Sequence, residues 1–372
     1  MTTSIQYTLL RRLAPVLALL CLGGCADTGY LLRSAQGHMQ LLGAARPIEQ
    51  WLADEKTPQA LKARLLLARR IRGFASTELG LPQNASYQSY ADLQRRYAVW
   101  NVVAAPEFSL TLKTWCFPVT GCIGYRGYYD EAGARALADA LRADGLEVSV
   151  YGVTAYSTLG WMNWAGGDPL LNTFLPYPEG ELARIIFHEL AHQVVYAKGD
   201  TMFNESFATA VERLGGARWL ALQDSSAARD EYARFDHRRR EFRALCLATR
   251  ARLAEIYEAP AVTPAELLNR SSQKTAAMQQ FRAEYAQLRQ TWDGYAGYDG
   301  WVASANNAAF AAQAAYDELV PGFEALFASL RNHPAGQWQG FYDAVRQLAE
   351  LPQAQRRDAL HRIINRTETA GG

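Results

Sequence analysis

The 372-residue sequence predicts an α+β fold, mostly helical, with a small antiparallel sheet packed on one central helix and a helical carboxyl-terminal half. Three observations carry this reading. Apolar residues recur at helical spacing on both sides of a short region that alternates like a strand. That region gives way to the apolar segment "RIIFHELAHQVV", and beyond Gly216 almost every segment has a helical period. A chain of this length buries a substantial core and accommodates about two domains at roughly 150 residues each.

From about Gly37 to Tyr97 the sequence reads as helix, with Leu61, Leu65, Leu66 and Ile71 near helical spacing and a break at Pro58. Between residues 99 and 126 the character turns to strand. In "EFSLTLKTW", Phe108, Leu110 and Leu112 alternate with Ser109, Thr111 and Lys113. The alanine-rich "DEAGARALADALRADG" that follows is a helix stopped by Gly145. "LEVSVYGVTAYS" is a second strand, with Leu146, Val148 and Val150 on one side. Long helical segments then fill the chain after Gly216, and the basic run from His237 to Arg240 reads as a solvated helix face.

With 38 basic and 37 acidic side chains the chain is almost neutral, so no basic face for nucleic acid is implied. The amino end is separate in character. Arg11 and Arg12 precede the apolar "LAPVLALLCL", and "GGC" brings small residues up to Cys25. This is the shape of a secretory signal, too short to span a bilayer. Its ending resembles a bacterial lipobox, which implies cleavage before Cys25 and lipidation of that residue. Ala26 after it leans toward outer-membrane sorting. The expected organisation is a signal peptide over 1–24, a lipid-anchored tether over 25–45, a catalytic region over 46–216 and a helical region over 217–372 that closes the cleft. The body would face the periplasm of the bacterial cell envelope.

Export sets the reading of the remaining cysteines. Pro118 and Gly121 in "CFPVTGC" favour a tight turn, making Cys116 and Cys122 a candidate disulfide in an oxidising compartment. Cys246 is left over and is expected as a buried thiol.

The chemistry concentrates in "FHELAHQ". Four residues apart on a helix, His188 and His192 share a face and can offer imidazole nitrogens to one ion. Glu189 is rotated away from that axis, where it can hold a water beside the ion and act as general base. A zinc ion in such a site brings a water's pKa toward about 7 and polarises a carbonyl. With six histidines in the chain, His-Glu-x-x-His arises by chance in fewer than roughly 1 in 100 such sequences. A third ligand is needed, and "DTMFNESFATAVE" offers Glu205 after twelve intervening residues, enough to end one helix at Lys198 and Gly199 and begin the next. Glu212 stands on the same face two turns later, as an alternative ligand or as a partner that orients a histidine.

"FHELAHQ" followed by "FNESFATAVE" resembles the gluzincin metallopeptidases, and is similar to the "HELAHQ … LNEGFASYVE" pattern of the zinc aminopeptidase family typified by aminopeptidase N. More widely, the lipobox, "CFPVTGCIGYRGYYD", "AYSTLGWMNWAGGDPLLNT" and the late "NNA" resemble the bacterial family named putative aminopeptidase. That resemblance covers most of the mature chain. It implies a zincin-like fold, zinc held by His188, His192 and Glu205, and Glu189 as the base in peptide-bond hydrolysis.

Two departures stand out. The linker between His192 and Glu205 is several residues shorter than in the aminopeptidase N family. That family also binds the substrate's ammonium through the glutamate of "GAMEN", where this chain has "GWMNW" with Asn163. Asp168 in "GGDPL" is a candidate acid for the ammonium, or a turn former before proline. Tyr156 is a further candidate for substrate binding. Tyr125, Tyr128, Tyr129 and Tyr156 are candidates for stabilising an oxyanion, or are simple packing. "SVYGVTAYS" is either an edge that pairs with extended substrate or an internal strand. Asn306 and Asn307 either line the cleft or cap a helix. The expected partners are a peptide substrate and a membrane. An endopeptidase with the same site, or a lipid-anchored protein that binds peptide without turnover, are the alternatives.

Overall fold

The computed structural model describes residues 29–117, 121–155, 157–158, 166–223, 226–259, 262–314 and 318–370. Cys25, the residues before it, Tyr156 and Asn163 lie outside them. Of the described residues 63% are helical, with small sheets, an α+β architecture.

The first helix, α1, covers 29–44, so most of the stretch expected as a tether is helical. β1 (Arg46–Pro47) leads into α2 (Ile48–Ala53), and Pro58 separates it from α3 (Gln59–Thr77). Pro58 sits at the N-cap of α3, where its missing N–H costs nothing. The helical reading to Tyr97 stops short: α3 ends at Thr77, and β2 (Ser89–Ala91) lies in the irregular stretch that follows.

β3 (Val99–Pro106) is the central strand of an antiparallel sheet, between β6 (Arg126–Tyr128) and β7 (Leu146–Val153). The alternating "EFSLTLKTW" is therefore not the strand; "VWNVVAAP", immediately before it, is. Ladder pairing of β3 with β7 ends at Pro106, and Asn307 Nδ2 donates to the carbonyls of both Pro106 and Glu107 (3.2 and 2.7 Å). β4 (Trp115–Phe117) and β5 (Gly121–Ile123) form a separate hairpin in which Cys116 pairs with Cys122 and the two are joined by a disulfide. Helix α4 (Glu131–Ala143), capped by Asp130 accepting from Gly133 N at 2.6 Å, covers one face of the sheet through Ala134, Ala138 and Leu141. Those side chains meet Val148, Leu146 and Val150, the three residues that the sequence puts on one side of β7. β8 (Leu170–Leu171) joins β1 and β2 in a second small sheet.

The motif helix α5 (Glu179–Ala191) lies beside α6 (Thr201–Ala221). It buries nine of its thirteen residues, so it needs neighbours on several sides. Those neighbours are chiefly α3, α6 and the next helix, α7 (Ser226–Glu258), rather than the antiparallel sheet expected beneath it. That sheet is covered instead by α4 and by α10 (Asn307–Ala314). Asn306 Oδ1 accepts from Ala309 N at 3.1 Å, so of its two readings it takes the helix cap.

α7 and α8 (Pro264–Thr291) form a hairpin about 50 Å long at 1.5 Å per residue, with its own core of Phe242, Leu245, Leu253, Phe281 and Tyr285. Cys246 is buried there. After α9 (Asp299–Ser304) and α10, helices α11 (Val320–Ser329), α12 (Gln337–Glu350) and α13 (Gln353–Ala370) return to the main core. Val320, Phe323, Phe341, Tyr342 and Leu360 pack there with Leu182, Phe187 and Phe207 of the motif helices. Among the described residues no helix is long and apolar enough to cross a membrane.

Candidate metal centre

α5 starts after Pro178 with Glu179 and Glu181 in its first turn, where acid side chains meet the positive end of the helix dipole. It ends earlier than the sequence implies. His192 is already its C-cap, and Gln193 N and Val194 N bond back to Leu190 O and Ala191 O in tight turns (3.1 and 2.9 Å). Gln193 is held from outside the helix: it accepts from Asn84 Nδ2 at 2.6 Å and donates to Ser86 Oγ at 3.2 Å.

The short linker to α6 is clamped by its own amides. Asn204 accepts from Ala197 N (2.7 Å) and donates to Ala197 O (2.9 Å), all of it buried. Asp200 caps α6 by accepting from Phe203 N at 3.2 Å, and its other oxygen meets Arg356 of α13 at 2.8 Å. This fixes the rotation of α6, and Glu205 in its second turn faces α5.

His188 Nε2 and His192 Nε2 are 3.2 Å apart. Glu205 Oε2 is 3.3 Å from the first and 3.6 Å from the second. Ligands bonded at 2.0–2.1 Å to a tetrahedral ion are separated by roughly 3.3 Å, so these three atoms have the spacing of one face of such a tetrahedron. His188, His192 and Glu205 are a group that could hold a metal ion. Their electrostatics favour a cation. Burial works against charge on His188, yet Glu205 and Glu212 outweigh it and hold the imidazole well above its usual range. Burial likewise opposes the Glu205 carboxylate, but His192 and His188 bring it down to about 2.

Glu212, the alternative ligand, turns to the other side of the ring. Its Oε2 lies 3.0 Å from His188 Nδ1, off the line of a well-directed hydrogen bond, while Oε1 accepts from Arg184 Nη2. Arg184 is 2% exposed and sits one turn before His188 on α5. Asp236 of α7 and Glu181 also lie near its Nη1, at 3.6 and 3.8 Å, and Arg239 bonds Glu181 at 2.5 and 3.0 Å. A charged residue inside "LARIIFHELA", four before His188, was the available signal for this network.

Glu189 is partly buried, and burial raises its carboxyl above the usual range against the pull of His188 and His192. Tyr125, Tyr151 and Tyr196 feel the charge of Glu205: each hydroxyl is pushed up, chiefly by burial, with that carboxylate adding to the shift. Tyr125 is also pushed up by Glu189, and Tyr151 stands across the β3–β7 ladder from Asn101, which hydrogen-bonds it. Of these, Tyr151 and Tyr196 carry no signal in sequence beyond being tyrosines. Tyr128 and Tyr129 are placed elsewhere, Tyr128 edge-on to Tyr30 and Tyr129 against Gly37.

Asp168 is 1% exposed, and its charge is felt by Glu189. Its carboxylate accepts from Thr158 N, Thr158 Oγ1 and Ser157 Oγ at 2.7 to 3.2 Å. Gly167 before it has φ +69°, and a Cβ there would lie 2.5 Å from Ser86 N, so the loop needs glycine. β7 lies at an edge of its sheet.

Taken together, the helices define an α+β protein built around a His, His, Glu centre able to hold a metal ion. The chain belongs to the family described as "Putative aminopeptidase", whose sequence model matches residues 29–360. At the coarse level that is a family of peptidases, hence hydrolases. No match was found among curated proteins or among solved structures.

Proposed function

We propose that the protein is a zinc-dependent peptidase of the cell envelope, an aminopeptidase by family, with a zincin-like site. The observation that carries this is the convergence of His188 Nε2, His192 Nε2 and Glu205 Oε2 at 3.2, 3.3 and 3.6 Å. A zinc ion held by these three residues supplies Lewis acidity, polarising the scissile carbonyl and acidifying a water. Glu189 accepts the proton of the attacking water and delivers it to the leaving amine, a role suited to a carboxyl raised by burial. Tyr125 stays protonated far above neutral pH and donates to the developing oxyanion. The edge strand β7 pairs with the extended peptide beyond Val148, whose carbonyl accepts from Asn306 Nδ2 at 3.0 Å. Glu212 orients His188 from behind.

Asp168 favours a second reading as an endopeptidase. Three donors from 157–158 already occupy its buried carboxylate, leaving it poorly placed to take an ammonium. Comparing free with amino-blocked peptides separates the two, because an aminopeptidase rejects the blocked set.

The cell-envelope assignment rests on the sequence around Cys25: cleavage before it, acylation of it, and a body facing the periplasm from the outer membrane. The test of the activity is zinc analysis with a peptide-library digest, with and without chelator, of the parent and Glu189→Gln. One zinc per chain in both, and hydrolysis by the parent alone, is the expected result. Equal hydrolysis by both would remove Glu189 from its role, and a parent that hydrolyses equally well after chelation would end the zinc reading.

A further inference from the structure

We infer that the outer face of α1 lies against the membrane that holds the lipid anchor, so that the catalytic body rests on the bilayer instead of swinging from a tether. The inference rests on the proposed acylation of Cys25. Only residues 26–28 separate that cysteine from α1, and four Cα steps reach about 14 Å at most. The first turn of α1 is therefore held at the level of the lipid headgroups.

The helix is built for that position. Its inner face is fixed to the body: Tyr30 Oη donates to Gly127 O at 2.9 Å, Arg126 stacks over the Tyr30 ring at 3.9 Å, and Leu41 is buried. Gly37 lets the helix backbone approach Tyr129, where a Cβ would come within 2.3 Å of the ring. The opposite face carries Leu31, Leu32 and Met39 at 51, 67 and 63% exposure, with exposed Ala35 between them. Spacings of three, four, seven and eight residues place these four side chains in one stripe, about 12 Å long from Leu31 to Met39. Large apolar side chains left in water along one stripe mark an interaction surface.

Charge points to lipid as the occupant. No aspartate or glutamate occurs from residue 28 to residue 48, while Arg33 lies exposed on the helix. An apolar stripe on a helix with an exposed basic residue and no acidic one suits the interface of a bilayer containing anionic lipid. Close tethering by acyl chains then supplies the membrane at high local concentration, so a small stripe suffices.

The experiment uses the full chain, produced with its own signal and reconstituted in vesicles of phosphatidylethanolamine and phosphatidylglycerol. A photo-crosslinking amino acid is placed at position 32, at position 39, or at position 222, where Leu222 has a comparable exposure of 62%. Mass spectrometry of the amino-terminal peptide establishes acylation in each preparation. Phospholipid adducts at 32 and 39, and their loss at 222, are expected. Acylated protein giving no adduct at 32 and 39, or as much at 222, overturns the docking of α1 and leaves the anchor standing. A Cys25 without lipid overturns the anchor, and the docking with it. Neither outcome bears on the peptidase site, which the digest tests separately.

Discussion

Glu212 meets His188 Nδ1 at 3.0 Å with one carboxylate oxygen while the other is held by the buried guanidinium of Arg184. The arrangement leaves His188 Nε2 facing His192 and Glu205, and it anchors the ring to a charge that cannot move into solvent. Burial opposes the charge on Arg184, but Glu212 and its other neighbours more than offset that and keep it protonated. Arg184→Met strands Glu212 without the guanidinium that holds it, while Glu181 keeps Arg239, and the uncompensated buried charge should cost about 3–5 kcal/mol of unfolding free energy. Metal affinity should fall roughly 10–100-fold, as on loss of a partner behind a ligand. Denaturant unfolding and chelator competition measure the two. A variant that unfolds at the parent's midpoint and keeps the parent's affinity would show that the network does not support the site.

That network marks the limit of what the sequence discloses. His188, Glu189 and His192 are legible because helix periodicity alone puts them on known faces, and Glu205 because a twelve-residue linker leaves few ways to return. Arg184 needs α6 and α7 to be in place before its partners exist, and those contacts span 28 and 52 residues (from 184 to 212 and 236). The misplaced strand has a different cause. A central strand covered on both faces, like Val102 to Ala105, is continuously apolar, whereas alternation of the kind in "EFSLTLKTW" marks a half-buried one. The return of α11 to α13 onto the core beside Phe207 has no local signature at all.

Tyr125 lies where both Glu205 and Glu189 act on its hydroxyl, and burial keeps that hydroxyl a donor at all working pH. If it serves the oxyanion, Tyr125→Phe should lower kcat by about 10²–10³ with little change in KM, since the bond is made in the transition state. Zinc content should be unchanged. A loss confined to KM would instead make Tyr125 a substrate contact, and Tyr151→Phe or Tyr196→Phe the next variants to measure.

The Cys116–Cys122 bridge closes a short loop across a hairpin of two three-residue strands, which could hardly persist alone. The hairpin presses on the linker between the two ligand helices, where Gly121 approaches the Gly199 backbone so closely that a Cβ would stand 3.2 Å from its nitrogen. Replacing both cysteines by serine should cost about 2 kcal/mol through the freed unfolded chain. Zinc should also dissociate faster from the variant, because the 198–199 segment loses its support. Unfolding curves and zinc release to a chromogenic chelator are the measurements, and unchanged release would separate the hairpin from the site.

At the start of α8, Glu266 accepts from the amides of Val262 and Thr263 at 2.9 Å each, and Thr263 Oγ1 accepts from Glu266 N at 3.3 Å. These backbone donors favour the carboxylate and lower its pKa below the ordinary glutamate value of 4.5. A depressed folded pKa sets the sign: the contribution to the first turn is complete above 4.5 and is lost as pH falls through the lower folded value. The amide resonances of Val262 and Thr263 should therefore titrate together with a midpoint below 4.5, in protein still folded by circular dichroism. In Glu266→Gln neither should titrate over that range. A midpoint at or above 4.5 would mean that the capping box is open in solution, since the bonds from Thr263 and Val262 to the ionised form are the largest causes pulling the value down.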